Sequence, residues 1–115
     1  MMSFEKLDVY QVSIDFLGKA TQINQSSPKG NADLLDQLKR ASISIPLNIA
    51  EAAGKTSPPD IRRFFAIARG SAMECGAILD VFVKLGIANL SEAMEGKALL
   101  ERIVAMLTKL ARPQS

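Results

Sequence analysis

The sequence predicts an all-α fold, an antiparallel up-down four-helix bundle. Ala, Leu and Ile supply most of the apolar fraction of 48%, whereas aromatic residues, which favour strands, make up 5%. Turn residues divide the chain into four long segments, and none of these shows strand-like alternation. Because 115 residues correspond to the size of one domain, we expect residues 1–115 to form a single bundle.

The four predicted helices cover about residues 4–25, 32–53, 58–85 and 92–112. Turn residues around Gly30 end the first, and Gly54 ends the second in a position suited to a left-handed backbone. Ser57 is the expected N-cap of the third helix, and Gly86 terminates it. Ser91 is the expected N-cap of the fourth helix.

Pro46 lies inside the second predicted helix, where it removes the hydrogen bond to the Ser42 carbonyl. We expect a bend at this point, and a complete break is the alternative. The flanking Ser42, Ser44 and Asn48 carry side chains that can satisfy backbone groups near the bend.

The first two helices carry more apolar surface than one core can bury. One face of the first presents Leu7, Tyr10, Ile14 and Leu17, and the opposite face presents Val9, Val12, Phe16, Ala20 and Ile23. Excess apolar surface of this kind marks a partner interface, and we predict self-association. The residues assigned to that interface are Val9, Val12, Phe16, Ile43 and Leu47.

Basic residues are concentrated in the middle of the chain. Six basic and two acidic residues lie between positions 37 and 73, although the net charge of the whole chain is only +2. Arg62 and Arg69 share a helix face at a spacing that suits contacts to successive phosphates. The alternative is a solvated surface with ion pairs one turn apart, namely Asp36–Arg40 and Glu51–Lys55.

The residues that most catalytic and metal sites need are missing from the sequence. There is no His, and the one Cys, Cys75, shares a helix face with apolar residues and is expected to be an inert core thiol. We therefore predict no catalytic residue, no metal and no cofactor. The polar string Arg40, Ser44, Asn48 and Glu51 is interpreted as a structural network between helices or subunits. No segment is apolar enough to span a membrane, and a cytoplasmic protein is expected.

Four motifs occur in order along nearly the whole chain: LDVYQ at 7–11, LDQLKRA at 35–41, SIPLNIAE at 44–51 and FFAIARGS at 64–71. This series resembles the small bacterial family named for proteins encoded in intervening sequences of 23S ribosomal RNA genes. The resemblance implies an up-down four-helix bundle assembled as a homopentamer, without enzymatic activity. It leaves the function open, because that of most members is unassigned.

The resemblance also bears on partners. Similar accessory proteins of diversity-generating retroelements are pentamers whose basic surface engages nucleic acid and a reverse transcriptase. By this resemblance, structured RNA or DNA is a possible partner, and the alternative is a scaffold oligomer that binds another protein and no nucleic acid. The residues assigned to nucleic-acid contacts are Lys39, Arg40, Arg62, Arg63 and Arg69.

Overall fold

The computed structural model describes residues 1–113 and confirms the all-α class. A single 3-10 turn at Ser3–Lys6 precedes four helices, which are α1 (Asp8–Gln25), α2 (Ala32–Ala53), α3 (Pro58–Lys84) and α4 (Leu90–Leu110). No strand occurs within the described residues. Helix α3 has 27 residues, which corresponds to about 40 Å at 1.5 Å per residue.

The helices pack around one core in the order of the chain. Helix α1 contacts α2 and α4, and α3 contacts the same two, so that α1 lies diagonally across from α3. The core contains large apolar side chains from every helix, including Phe16, Leu38, Leu79, Phe82 and Ile103. Since all four helices share this core, the sides that they turn away from it form the surface of the molecule.

Most predicted helix ends agree with the structure within two residues, and one cap is as expected. The Ser57 hydroxyl accepts a hydrogen bond from the Asp60 amide at 3.3 Å, which confirms the N-cap of α3. The cap of α4 is Asn89 and not Ser91, because the Asn89 side chain already accepts the Glu92 amide at 2.8 Å. Helix α4 therefore begins at Leu90.

Three backbone details differ from, or resolve, the sequence predictions. The first helix does not begin near residue 4, because Leu7 has an extended backbone that separates the 3-10 turn from α1. Gly54 is not left-handed (φ −89°), since its amide continues the helical pattern by donating to the Ala50 carbonyl. Gly86, in contrast, has φ +74° at the turn after α3.

Helix α2 continues without interruption through Pro46, so the alternative of a break is wrong. The side-chain amide of Asn48 donates to the Ser44 carbonyl at 2.8 Å, as expected for a polar group flanking a helical proline. Within the described residues, none of the helices is both long and apolar enough to pass through a bilayer.

Candidate functional site

The structure corrects the predicted interface on α1. Val9, Val12 and Phe16 are buried in the core of the chain and leave no surface for a second copy. The sequence contained a signal for this: their stripe continues through Ala20 and Ile23 to the end of the helix, where both residues are also buried. The opposite stripe gives way to polar residues after Leu17, and that stripe is the one left near the surface.

A first apolar surface lies along the outside of α1 and α2. Leu17, Lys39 and Ile43 line one groove of about 440 Å³, Ile14 lies one turn from Leu17, and Leu47 lies one turn from Ile43. Leu47 is 61% exposed, and Ile14 is also exposed. These five residues are called the α1–α2 face, and they retain Ile43 and Leu47 as candidates for an interface.

A second apolar surface lies along the outside of α3 and α4, and sequence reasoning did not assign it. A groove of about 520 Å³ contains Met73, Ala77, Glu101, Val104 and Ala105, and the exposed Gly70 lies one turn from Met73. These six residues are called the α3–α4 face. Met73 is 54% exposed, and the available signal was the small-residue spacing along this helix, Ala66 to Gly70 and Ala72 to Gly76.

The two faces lie on opposite sides of the bundle. Since α1 contacts α2 and α4 but not α3, the α1–α2 pair and the α3–α4 pair form opposite walls around the core. An ion pair between Asp80 and Lys97, 2.6 Å apart, crosses the α3–α4 groove. The molecule therefore presents two different apolar surfaces that point in opposite directions.

The five predicted nucleic-acid contacts do not form one cluster. Ser44 of α2 meets Ser71 of α3, and Lys55, just beyond α2, lies over Phe64 near the start of α3. Arg40 and Arg62 are therefore on opposite sides of the serine contact, about 20 Å apart along the bundle. Lys39 accompanies Arg40 and Arg63 accompanies Arg62 in sequence, so that the predicted set separates into an α2 pair and an α3 pair, with Arg69 between them.

Three of the predicted arginines have different side-chain partners. Arg40 forms the predicted ion pair with Asp36 at 2.8 Å, and Arg69 donates from Nε to the Thr108 hydroxyl of α4 at 2.8 Å. Arg63 lies over the Phe64 ring at 5.0 Å from its centroid. The second predicted ion pair, Glu51–Lys55, is also present at 3.5 Å.

Phe64 organises a small basic cluster that sequence reasoning only partly found. The Lys55 ammonium also lies 5.0 Å from the ring centroid, so that two cations contact one aromatic ring. Arg62 and Arg63 come from the first turns of α3. The cluster of Lys55, Arg62 and Arg63 is called the basic end. The sequence pattern pairs Lys55 with Glu51 and does not assign it to this cluster, because Lys55 lies in a connector nine residues before Phe64.

The predicted polar network exists between two helices. The Ser44 and Ser71 hydroxyls are 2.8 Å apart, and the Asn48 side chain donates to the Ser44 hydroxyl at 3.0 Å. These bonds join α2 to α3 and satisfy half-buried polar groups. Arg40 and Glu51, which the sequence placed in the same string, are instead exposed and engaged in ion pairs within their own segment.

Cys75 is a core thiol, as predicted. It is fully buried, and burial, assisted by the nearby charge of Glu74, raises the pKa of the Cys75 thiol to about 12. The thiolate that nucleophilic or metal chemistry requires is therefore not formed near neutral pH. Within residues 1–113 no group of three potential metal-ligating side chains is found.

The fold and these surfaces define a helical-bundle protein whose surface features are apolar faces and a small basic end. The profile of the 23S rRNA-intervening sequence protein family matches residues 5–109, and the chain belongs to that family. A crystal structure of a protein with unknown function from the S23 ribosomal protein family of Bacteroides thetaiotaomicron is similar in fold, with a TM-score of 0.80. The two chains are 19% identical, and the match covers 91% of this chain and 99% of the other. No curated protein matches the sequence.

Proposed function

We propose that this chain is a non-enzymatic, self-assembling building block, whose homo-oligomer serves as a platform for another protein. The observation that supports this proposal is the pair of opposite apolar faces, in which Leu47 is 61% and Met73 is 54% exposed. Apolar patches on opposite sides of a small protein favour association with partners. The family resemblance adds an expected subunit number of five.

The subunit in this proposal is an antiparallel up-down bundle. Two contacts between α3 and α4 support the direction: Arg69 meets Thr108, and Asp80 meets Lys97. Advancing eleven residues along α3 thus moves eleven residues backward along α4. Connectors of a few residues between successive helices suit the same arrangement.

Size-exclusion chromatography with light scattering tests the self-assembly. We expect a homo-oligomer at micromolar concentration for the wild type, and a monomer with unchanged helical circular dichroism for the double variant Leu47→Asp, Met73→Asp. Leu85→Asp is the matched control, because Leu85 is also 61% exposed but lies at the end of α3, outside both faces. A monomeric wild type would rule out the proposal.

Nucleic-acid binding is a second candidate, and the basic end favours it. Lys55 and Arg63 lie over one aromatic ring at one end of the bundle, Arg62 precedes Arg63 in the sequence, and an oligomer would repeat this group in every subunit. Guanidinium and ammonium groups in such a group can each contact a phosphate. Of the five predicted contacts, this candidate retains Arg62 and Arg63, because Arg69 is engaged by Thr108 and Lys39 and Arg40 lie elsewhere.

Fluorescence anisotropy with a labelled RNA hairpin tests this second candidate. If Arg62 and Arg63 each neutralise one phosphate per subunit, affinity should fall roughly 12-fold between about 50 and 200 mM salt. The double variant Arg62→Glu, Arg63→Glu should abolish binding, whereas Arg102→Glu, an exposed charge on the α1–α4 side, should retain most of it. Absence of binding at low salt would leave the protein platform as the function.

A further inference from the structure

We propose that Met73 and Met94 form an oxidation site through which peroxide controls the proposed self-assembly, because their sulfoxides would block the α3–α4 face. Regulation of this kind rests on the proposed self-assembly and acts on the same surface. Hydrogen peroxide represents the class of oxidants that transfer one oxygen atom to a thioether.

The two methionines lie on one continuous surface. Met73 belongs to the α3–α4 face and is 54% exposed, and Met94 is 61% exposed. Asp80 and Lys97 line the groove of Met73 and also a neighbouring groove of about 230 Å³ that contains Met94. Both thioethers are therefore open to a dissolved oxidant in the free subunit, and the Asp80–Lys97 ion pair borders both grooves.

Oxidation changes the polarity of each side chain without changing its charge. A lone pair of the sulfur attacks one oxygen of hydrogen peroxide, so that an S–O bond forms and the O–O bond breaks. The proton of the transferred hydroxyl moves to the leaving oxygen, which departs as water. The sulfur loses two electrons and the peroxide gains them. A flexible apolar side chain thereby becomes a polar one that carries a hydrogen-bond acceptor.

The α3–α4 face is poorly suited to a sulfoxide oxygen. Glu101 is the one polar side chain among its six residues, and a carboxylate accepts hydrogen bonds but donates none. The Lys97 ammonium in the same groove already pairs with Asp80 at 2.6 Å. A second copy that covers the face would therefore bury each sulfoxide oxygen without a donor from this face, and association should weaken about tenfold or more.

The chain contains one thiol, and that thiol does not compete for the oxidant. Cys75 is fully buried, and burial raises the pKa of its thiol to about 12. Peroxides react with the thiolate and not with the thiol. Near neutral pH, the methionines are therefore the sulfur groups that peroxide can modify.

The remaining methionines provide internal controls. Met1 and Met2 are 90% and 63% exposed and precede the 3-10 turn, outside both apolar faces. Met106 is half-buried and lines a groove between α1 and α4. Met1 and Met2 should therefore be oxidised as fast as Met73 and Met94 or faster, and their oxidation should leave assembly unchanged.

Peptide mass spectrometry combined with light scattering tests the site. We would treat the wild type with hydrogen peroxide at a dilution that favours the free subunit, remove the oxidant with catalase, and compare the sulfoxide content with the oligomeric state. Chains oxidised at Met73 and Met94 should associate about tenfold or more weakly than untreated chains, with unchanged helical circular dichroism. Methionine sulfoxide reductases of both stereospecificities should restore assembly.

Three double variants separate this site from oxidation elsewhere. Met73→Leu, Met94→Leu keeps apolar side chains of similar volume on the surface and should still assemble after the same treatment. The matched control, Met2→Leu, Met106→Leu, keeps Met73 and Met94 and should lose assembly as the wild type does. Met73→Gln, Met94→Gln places a polar side chain of similar length at both positions and should weaken assembly without any oxidant.

Each result supports or overturns the oxidation site. It is overturned if chains with both sulfoxides assemble like untreated chains, or if the Leu variant of Met73 and Met94 dissociates on oxidation as the wild type does. It is also overturned if Met73 and Met94 stay reduced while Met2 is fully oxidised. In each of these cases, an untreated wild type that is an oligomer preserves the proposed self-assembly. An untreated wild type that is a monomer contradicts both proposals.

Discussion

Phe16 and Leu47 are both large apolar side chains on neighbouring helices, yet Phe16 is fully buried and Leu47 is 61% exposed. Phe16 lies in the core that all four helices share, whereas Leu47 lies on the α1–α2 face. The comparison separates two roles that apolar side chains have on these helices. The inner residues determine whether the chain folds, and the outer ones are those that the proposed self-assembly would use.

The largest expected effect comes from truncating the inner residue. Phe16→Ala should lower the free energy of unfolding by about 3–5 kcal/mol, since it removes a buried ring and leaves a cavity. Urea denaturation, monitored by circular dichroism at a dilution where the chain is monomeric, measures this change. Leu47→Ala is the matched control and should change the subunit's stability by about 0.5 kcal/mol or less. Equal losses in the two variants would contradict the division into inner and outer faces.

Glycines on the two sides of the bundle provide a second, smaller contrast. A Cβ added at Gly96 of α4 would lie 3.0 Å from Leu79 Cδ1 and 3.5 Å from Phe16 Cε1, so Gly96→Val should overpack the core and cost about 1–3 kcal/mol. Gly70 lies on the outside with open space around it. Gly70→Ala should therefore stabilise the subunit by about 0.5–1 kcal/mol through helix propensity.

Thermal denaturation of the two glycine variants checks this contrast, because their melting temperatures should shift in opposite directions from that of the wild type. A rise in both melting temperatures would mean that the core around Gly96 yields enough to accept an isopropyl group. The close approach of α4 to Phe16 would then not be a constraint on the fold.

The sequence predicted the four helices well because their ends have local causes. The Ser57 side chain and the two prolines after it mark the start of α3 wherever the helix packs. The choice between the two apolar stripes of α1 was wrong, because periodicity gives the direction of each stripe but not the positions of α2 and α4. Only the packing of those helices decides that Phe16 lies inside and Ile14 outside.

The candidate site was predicted less well for a related reason. Lys39, Arg40, Arg62, Arg63 and Arg69 are all in the central part of the chain, but nearness in sequence does not fix their heights in the bundle. The contact between Ser44 and Ser71 sets those heights and separates Lys39 and Arg40 from Arg62 and Arg63, with Arg69 between them. Lys55 joins Arg63 only because both pack on Phe64, a tertiary arrangement that no local pattern encodes.

A smaller expected effect than the truncation of Phe16 concerns Cys75, a titrating group buried inside the bundle. Burial raises the pKa of Cys75 from 9.0 to about 12, so the unfolded chain loses this proton at a lower pH than the folded chain. Burial of the neutral thiol therefore leaves the free energy of unfolding at its full value below about pH 9, and this free energy declines as the pH rises towards 12. By about pH 10 the loss should be about 1 kcal/mol.

Urea unfolding at about pH 8 and pH 10, in the wild type and in Cys75→Ala, isolates the contribution of Cys75, because the two chains share every other side chain. The wild type should lose more stability over this interval than the variant, whatever the variant loses at both pH values through its smaller side chain. A thiol on the surface should behave in the opposite way. The thiol introduced by Gly70→Cys, on the same helix as Cys75, should react rapidly with a thiol reagent in the native state. If the wild type and Cys75→Ala decline in parallel, Cys75 ionises as readily in the folded as in the unfolded chain, and this part of α3 is open to water.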